Sequence, residues 1–264
     1  MKEYLAERMS DTPTVSIVMP TLDIYEYLPK TIPAILEQTF SDFEFLILDG
    51  GSTDGTVEYI SNLDDSRIRT FKNCGSIVES LNKGVDESRG KYIARADGDS
   101  VPEINWLEKC VDFLETNPDY AVVGTQAKRV RPDGSTSTTE MPTNHKEITL
   151  TLHWKNPMVH PSVVMKKQAI KKIGAYRERH WEDYDLFIRL ANRYKLGNLS
   201  EVLITEYIRR DSIVNSTSTI RWFAANLRCS FFAIQTTDHS LIDVLRSGKQ
   251  IAIPAVYAYF KASG

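Results

Sequence analysis

Cysteines and long apolar runs are scarce in this sequence. Its 264 residues include three cysteines, Cys74, Cys110 and Cys229, which lack CxxC spacing and are odd in number. We therefore expect neither a disulfide framework nor a zinc site, and the composition suits a reducing compartment. No apolar run approaches the length of a membrane span, and residues 1–14 carry charges where a signal peptide would be apolar. We expect a cytoplasmic protein, soluble or peripheral at the inner face of the membrane.

An excess of charge of either sign is also missing. The chain has 32 basic and 35 acidic residues and a formal net charge of -3, so nucleic acid is not an expected partner. Neither a GxGxxG segment nor a Walker lysine motif occurs, which removes the main support for hydride transfer and for P-loop chemistry. The length permits one sizeable core, and we predict a single domain with a C-terminal extension.

Strand and helix patterns alternate through the first half of the chain. A β-branched run at Val15–Met19 precedes a helical pattern over residues 27–36, and three similar units follow. These units pair residues 43–48 with 56–62, 68–71 with 77–88, and 92–96 with 105–117. Such alternation is typical of an α/β, Rossmann-like fold with a mostly parallel sheet flanked by helices.

The pattern changes after Gly124. A hairpin is predicted over residues 128–140, with its turn at Pro132-Asp133-Gly134, and a strand over residues 163–165. Helical patterns occur weakly before Trp154, then over residues 166–173, 183–194 and, with interruptions, 220–260. We predict a first half at about 14–124, a second half at about 125–213 and a helical extension at 214–264.

Polar loops follow the predicted parallel strands, where ligands bind in α/β sheets. Asp97-Gly98-Asp99 places two carboxylates at one strand end, and such a pair can hold Mg²⁺ or Mn²⁺ together with phosphate oxygens. A solvated turn is the alternative. Asp49 begins another such loop and can accept hydrogen bonds from a nucleotide, whereas Asp54 and Thr56 are expected to cap the next helix.

Carboxylates also precede the helix predicted at 183–194. Glu182 and Asp183 could compensate the helix dipole, or one of them, desolvated beside Trp181, could act as a general base. Trp181 could also stack on a sugar. His160, between two prolines, is either a hydrogen-bonded structural residue or part of an acceptor side or metal site.

The order of these motifs resembles that of family-two glycosyltransferases of the GT-A fold. The family's opening is similar to VSIVMPTLDIYEYLPKTIPAILEQTFSDFEFLILDGGSTDGT, its DxD segment to LNKGVDESRGKYIARADGDSVP, and its acceptor-side and Glu-Asp stretch to NPMVHPSVVMKKQAIKKIGAYRERHWEDYDLFIRL. The resemblance runs from Val15 to Ile213. Four motifs in order are more specific than any one of them alone.

The resemblance implies an inverting, single-displacement hexosyltransferase that uses a UDP-, GDP- or TDP-sugar. Mn²⁺ or Mg²⁺ would be held at Asp97 and Asp99, with Asp99 as the main ligand. Asp183, with Glu182 beside it, would deprotonate an acceptor hydroxyl. The acceptor would be a glycan or a lipid-linked glycan, in surface polysaccharide or glycoprotein biosynthesis.

The remaining donor contacts follow from the same resemblance. Thr21, Asp23 and Asp49 would hold the nucleoside, while Asn82 and Gly98 would line the donor side; His160 and Trp181 would lie on the acceptor side.

Three departures from the family pattern bear on this site. Leu22-Asp23 stands where the family usually has Tyr-Asn, and Gly50 replaces an aspartate. YIRRDSIVN stands where relatives often have a histidine, so Arg209 or Arg210 could contact the diphosphate instead.

Other functions compete with this interpretation. A sugar nucleotidyltransferase would need a glycine- and arginine-rich loop after the first strand, and Pro20-Thr21-Leu22-Asp23 stands there instead. A polyprenyl-phosphate glycosyl synthase needs no general base, so Glu182-Asp183 favours a hydroxyl acceptor. A catalytically silent scaffold that binds nucleotide sugars is the third alternative. The basic, aromatic tail after residue 213 is predicted to form core or homodimer surface, or else a helix on a membrane.

Overall fold

The computed structural model describes residues 12–177 and 181–209, which form one nine-stranded sheet between two apolar cores. The strands are β1 (Val15–Thr21), β2 (Phe43–Asp49), β3 (Ile68–Phe71), β4 (Tyr92–Arg95), β5 (Ser100–Pro102), β6 (Tyr120–Val130), β7 (Thr136–Thr138), β8 (Val164–Lys166) and β9 (Lys195–Tyr207). The helices are α1 (Leu28–Leu36), α2 (Thr56–Ser61), α3 (Ile77–Glu87), α4 (Trp106–Thr116), α5 (His145–Thr151), α6 (Lys167–Lys172) and α7 (Glu182–Ala191). The strand order is β3-β2-β1-β4-β8-β6-β9-β5, and β7 pairs with β6.

The first four strands form a parallel sheet. β1 pairs with β2 and β4, and β2 pairs with β3. β1 and β2 are buried along their whole length because apolar side chains cover both faces of the sheet. Successive residues of β1 point to opposite faces: Ile17 and Met19 join one core, and Val18 joins the other. The predicted alternation of strands and helices is confirmed.

The rest of the sheet is mixed, which corrects one detail of the predicted α/β fold. β8 pairs antiparallel with β4 and β6, β7 with β6, and β5 with β9, while β6 and β9 are parallel. Four strand pairs are therefore parallel and four are antiparallel. β6 runs through residue 124, so the two predicted halves contribute to one sheet.

The sequence pattern does not predict β5 or β9, and it extends α7 beyond its observed end at Ala191. β9 contains Gly197 and Asn198 and pairs with β6 through several register shifts. These irregularities break the period-two alternation by which a strand is recognised. The hairpin of β6 and β7 is confirmed, and its turn contains Gly134 with φ 82°.

Several predictions lie outside the described residues. These are the helical extension at 214–264 with its homodimer or membrane surface, together with Cys229 and Arg210. Within the two described ranges, none of the helices has the length and apolar character needed to cross a membrane.

Candidate active site

The ends of β1 and β2 bring Thr21 and Asp49 together. The two residues are paired in register, and the Thr21 hydroxyl donates to Asp49 Oδ1 over 3.4 Å. Asp49 Oδ2 also accepts from the backbone N–H groups of Gly51 and Ser52, at 2.9 and 3.1 Å. The buried Asp49 carboxylate therefore shapes the glycine-bearing loop, and a nucleotide contact would come in addition to this structural task.

Asp23 stands beside that loop in a left-handed backbone conformation, with φ 47°. Its carboxylate accepts from the Thr53 N–H over 2.8 Å, and its own N–H donates to the Ser52 hydroxyl over 2.9 Å. Arg209 donates to the Asp23 carbonyl over 3.5 Å. An exposed carboxylate and an arginine thus stand together at the mouth of the predicted nucleoside site.

Asp54 and Thr56 join the two loops, and of the two only Asp54 keeps its predicted capping role. Helix α2 begins after Gly55, and Asp54 Oδ1 accepts from the N–H of Thr56, the first residue of the helix, over 3.0 Å. Asp54 Oδ2 also accepts from the N–H of Tyr25 over 2.9 Å, and the Thr56 hydroxyl accepts from the N–H of Ile24 over 3.1 Å. Burial acts to raise the pKa of Asp54, but the hydrogen bonds that it accepts outweigh burial and lower it.

The Asp97-Gly98-Asp99 turn follows β4. A Cβ atom on Gly98 would lie 2.9 Å from Ile24 Cγ1, and the Gly98 carbonyl accepts from the Thr31 hydroxyl over 2.7 Å. Gly98 does not have a positive φ. Glycine is needed here because the backbone approaches Ile24 and α1 closely.

The charges of Asp97 and Asp99 are only partly compensated. Burial, followed by the Asp97 charge, raises the pKa of Asp99 to about 7, although Arg209 acts in the opposite direction. Two crowded carboxylates at a strand end fit a divalent cation, which would relieve their repulsion. In the described part of the chain, no group of three or more His, Cys, Asp or Glu side chains could hold a metal. Further ligands would have to be phosphate oxygens or water.

Arg95 is a site residue that the sequence interpretation missed. Its guanidinium is 3% exposed and forms an ion pair with Asp97 at 2.6 Å, and it also donates to the Ala96 carbonyl. Nε has no hydrogen-bond partner among the described residues. The available signal was a charged residue inside the apolar strand KYIARA, where an unpaired charge is costly.

Glu182 and Asp183 begin α7, as predicted. Asn156 Nδ2 donates to Asp183 Oδ2 over 2.7 Å, and the Tyr184 N–H donates to Asp183 Oδ1 over 2.8 Å. Burial raises the pKa of Asp183, and burial with the Asp183 charge raises the pKa of Glu182 to about 7. Trp181 precedes them with φ 69°, a rare conformation for a large side chain that is often found at functional sites.

His160 contacts two aromatic side chains, those of Tyr176 and of Phe187 on α7. Its Nε2 lies 3.2 Å from the Tyr176 hydroxyl, and its ring meets that of Phe187 edge-on at 6.0 Å between centroids. Burial and the nearby charge of Arg95 hold the pKa of His160 well below its usual value. The imidazole is therefore neutral at pH 7, and the structure gives it a hydrogen-bonded, packed position.

Asn82 lies on α3 and holds the segment that precedes α7. Its amide donates to the Tyr176 carbonyl over 2.9 Å and accepts from the Tyr176 N–H over 3.0 Å. Both ends of the amide are occupied by backbone, so Asn82 has a structural task. Direct contact between Asn82 and a donor sugar remains a prediction from the family resemblance.

A cavity of about 580 Å³ opens beside Asp23. Its lining includes Tyr27, Lys30, Arg131 and Arg209. The size falls within the range of small-molecule sites, and the mixed aromatic and cationic lining suits a sugar or phosphate group.

A comparison with protein families identifies the chain. Residues 16–174, more than half of its length, match the model of Glycosyl transferase family 2. The chain belongs to this family. This glycosyltransferase is also 30% identical to the O-antigen biosynthesis glycosyltransferase WbnJ of Escherichia coli, over 76% of this chain and 82% of that protein.

Solved structures share the fold of this glycosyltransferase. S. aureus TarS (residues 1–349) in complex with UDP-GlcNAc aligns with a TM-score of 0.72 at 17% identity, over 90% of this chain and 73% of that chain. The mannosyltransferase PcManGT from Pyrobaculum calidifontis, in complex with GDP-Man and Mn²⁺, aligns with a TM-score of 0.60 at 14% identity, over 99% of this chain and 84% of that chain. The GT-A prediction is confirmed.

Proposed function

We propose that this glycosyltransferase moves a sugar from a nucleotide diphosphate to an acceptor hydroxyl, with inversion and with a divalent cation at Asp97 and Asp99. The observation that carries the proposal is the meeting of two carboxylate pairs. Asp97 and Asp99 follow β4, and Glu182 and Asp183 begin α7. The charge of Asp97 is close enough to both members of the second pair to raise their pKa. One pair suits the leaving diphosphate and the other suits the attacking hydroxyl.

The donor side is built on the first pair. Mn²⁺ or Mg²⁺, when bound, neutralises charge on the departing diphosphate. Asp97 is 32% exposed and can therefore contact an incoming ligand. Asp99 supplies a second carboxylate, whose negative charge is only partly compensated by nearby positive charge. Arg209 places a fixed positive charge near Asp99, where a phosphate could accept from its guanidinium. Thr21, Asp23 and Asp49 would hold the nucleoside, with Gly98 beside them.

The acceptor side is built on α7. The acceptor oxygen attacks the anomeric carbon as the bond from that carbon to the donor phosphate oxygen breaks, and the acceptor proton passes to Asp183. Asn156 fixes the orientation of that carboxylate, and the raised pKa makes Asp183 a stronger proton acceptor than an exposed aspartate. A single displacement of this kind inverts the anomeric configuration. Trp181 would stack on the acceptor sugar.

Relatives support a class of donor and a setting. UDP-GlcNAc is bound to TarS, and GDP-Man with Mn²⁺ is bound to PcManGT, so UDP- and GDP-sugars are the first donors to test, followed by TDP-sugars. The similarity to WbnJ supports polysaccharide biosynthesis, with a glycan or lipid-linked glycan as acceptor. We infer that the reaction takes place at the cytoplasmic side of the membrane, where nucleotide sugars are the donors.

Donor hydrolysis followed by proton NMR tests this function without knowledge of the acceptor. An α-linked donor sugar should release its β-anomer first, in a reaction that EDTA stops and that Asp183→Asn slows. First release of the α-anomer, or turnover unaffected by EDTA, would contradict the proposal. Transfer to a polyprenyl phosphate that persists in Asp183→Asn would favour a polyprenyl-phosphate glycosyl synthase, and donor binding without any turnover would favour a scaffold.

A further inference from the structure

Arg95 occupies an unusual place for a charge. It belongs to β4, between the β1 and β8 strands of the sheet, and its N–H donates to the Val163 carbonyl over 2.9 Å. The other residues of β4 are apolar and buried. Such a buried cation is costly and is weak evidence for stability, so it calls for another explanation.

The surroundings of Arg95 join the two halves of the site. On the donor side it pairs with Asp97 at 2.6 Å. On the acceptor side its positive charge acts to lower the pKa of Glu182, Asp183 and His160. One buried cation therefore lies among three carboxylates of which only one, Asp97, is its ion-pair partner.

The guanidinium is also incompletely bonded. One of its NH2 groups donates to Asp97 and the other to the Ala96 carbonyl, while the buried Nε has no hydrogen-bond partner among the described residues. An unsatisfied donor of this kind costs free energy and leaves capacity for a further acceptor. Asp97, by contrast, is one-third exposed and can exchange its partner.

We propose that Arg95 is a positioning residue that couples the two sides: it holds Asp97 before the donor binds, and its charge serves Glu182 and Asp183 once Asp97 has a cation to coordinate. The inference rests on the proposed function. Before binding, Arg95 competes with a metal ion for the Asp97 carboxylate. After binding, its charge is no longer neutralised by Asp97. It then counteracts the effect of burial, which favours the neutral form of Glu182 and Asp183, and these carboxylates must be ionised to accept a proton.

This role predicts opposite effects on binding and turnover. In Arg95→Met the competing cation is gone, so Mn²⁺ with UDP or GDP should bind as tightly as to the wild type or a few-fold more tightly. Donor hydrolysis should nevertheless fall by about 100-fold, a typical contribution of acid–base catalysis. Arg95→Lys keeps the charge and should recover most of the lost rate.

The measurement combines Mn²⁺–nucleotide titration by calorimetry with donor hydrolysis, for wild type, Arg95→Met, Arg95→Lys and Arg95→Gln. Arg189→Met is the matched control, because Arg189 is also buried but bonds to Asp185 and to the carbonyls of Ile173 and Ala175. It should lower stability without separating binding from turnover. Arg95→Gln keeps hydrogen-bonding capacity without charge and replaces Arg95→Met if that variant does not fold.

Parallel losses of nucleotide binding and hydrolysis in the uncharged Arg95 variants, or an unchanged rate of hydrolysis, would overturn the role of Arg95. Failure of the wild-type protein to bind any Mn²⁺–nucleotide would instead overturn the proposed function, so the two failures can be told apart.

Discussion

Glu182→Gln should make the protein more stable at pH 8, although it alters the candidate site. Burial and the neighbouring Asp183 charge raise the pKa of Glu182 from 4.5 to about 7. The folded chain therefore keeps this proton over a range of pH in which the unfolded chain has already released it. The stability that the proton confers is fully present below pH 4.5, falls as pH rises, and is lost above about 7. Glutamine cannot titrate and avoids this loss.

The magnitude follows from the same shift. One pKa unit corresponds to about 1.4 kcal/mol, so the rise to about 7 corresponds to about 3 kcal/mol. Glu182 is partly exposed and shares its repulsion with Asp183, which reduces the expected effect to about 2 kcal/mol.

Urea unfolding followed by tryptophan fluorescence measures this difference. Between pH 4 and pH 8 the wild type should lose about 2 kcal/mol relative to Glu182→Gln, with equal m-values. Glu37→Gln, at an exposed position after α1, is the control and should run parallel to the wild type. If the free energy of unfolding of the wild type and of Glu182→Gln changed in parallel with pH, the argument that the ionised Glu182 carboxylate destabilises the fold would be refuted.

Four further substitutions test the site. Asp183→Asn should lower turnover by about 100-fold or more with nucleotide affinity unchanged, and Asn156→Ala should lower turnover less. Steady-state kinetics measures the turnover and calorimetry the nucleotide affinity. Turnover equal to that of the wild type in Asp183→Asn would show that Asp183 is not the base. Gly98→Ala should destabilise the fold by about 1–3 kcal/mol in urea unfolding, because its Cβ would meet Ile24, and Ile24→Ala in the same chain should recover part of the loss. His160→Ala should lower the Tm, and activity lost without loss of nucleotide binding would support an acceptor-side role.

The sequence predicts the first half of the fold well because the signals there are local. Buried parallel strands such as β1 and β2 are largely apolar runs, and each is followed by a helix. The sequence does not predict β9, because its pairing with β6 contains register shifts. Such shifts interrupt the regular alternation by which a strand is recognised in a sequence.

The candidate site divides in the same way. Asp97, Asp99 and Asp183 can be chosen from motif and position along the chain. The hydrogen bonds of Asn82 and Asn156 cannot be predicted in this way, because each is made to a residue far away in sequence, Tyr176 and Asp183 respectively. Arg95 is visible in the sequence as a charge in an apolar strand, but its neighbours on α7 are brought to it only by the tertiary fold.

The central claim is a metal-dependent nucleotide-sugar site at Asp97 and Asp99. Thermal unfolding with a panel of UDP-, GDP- and TDP-sugars, with and without Mn²⁺, tests it most directly. One nucleotide class should stabilise the wild type only when Mn²⁺ is present, by about 2.7 kcal/mol at a ligand concentration of 100 Kd, and Asp99→Asn should abolish the effect. Absence of a shift with every donor, or an equal shift in Asp99→Asn, would contradict the account.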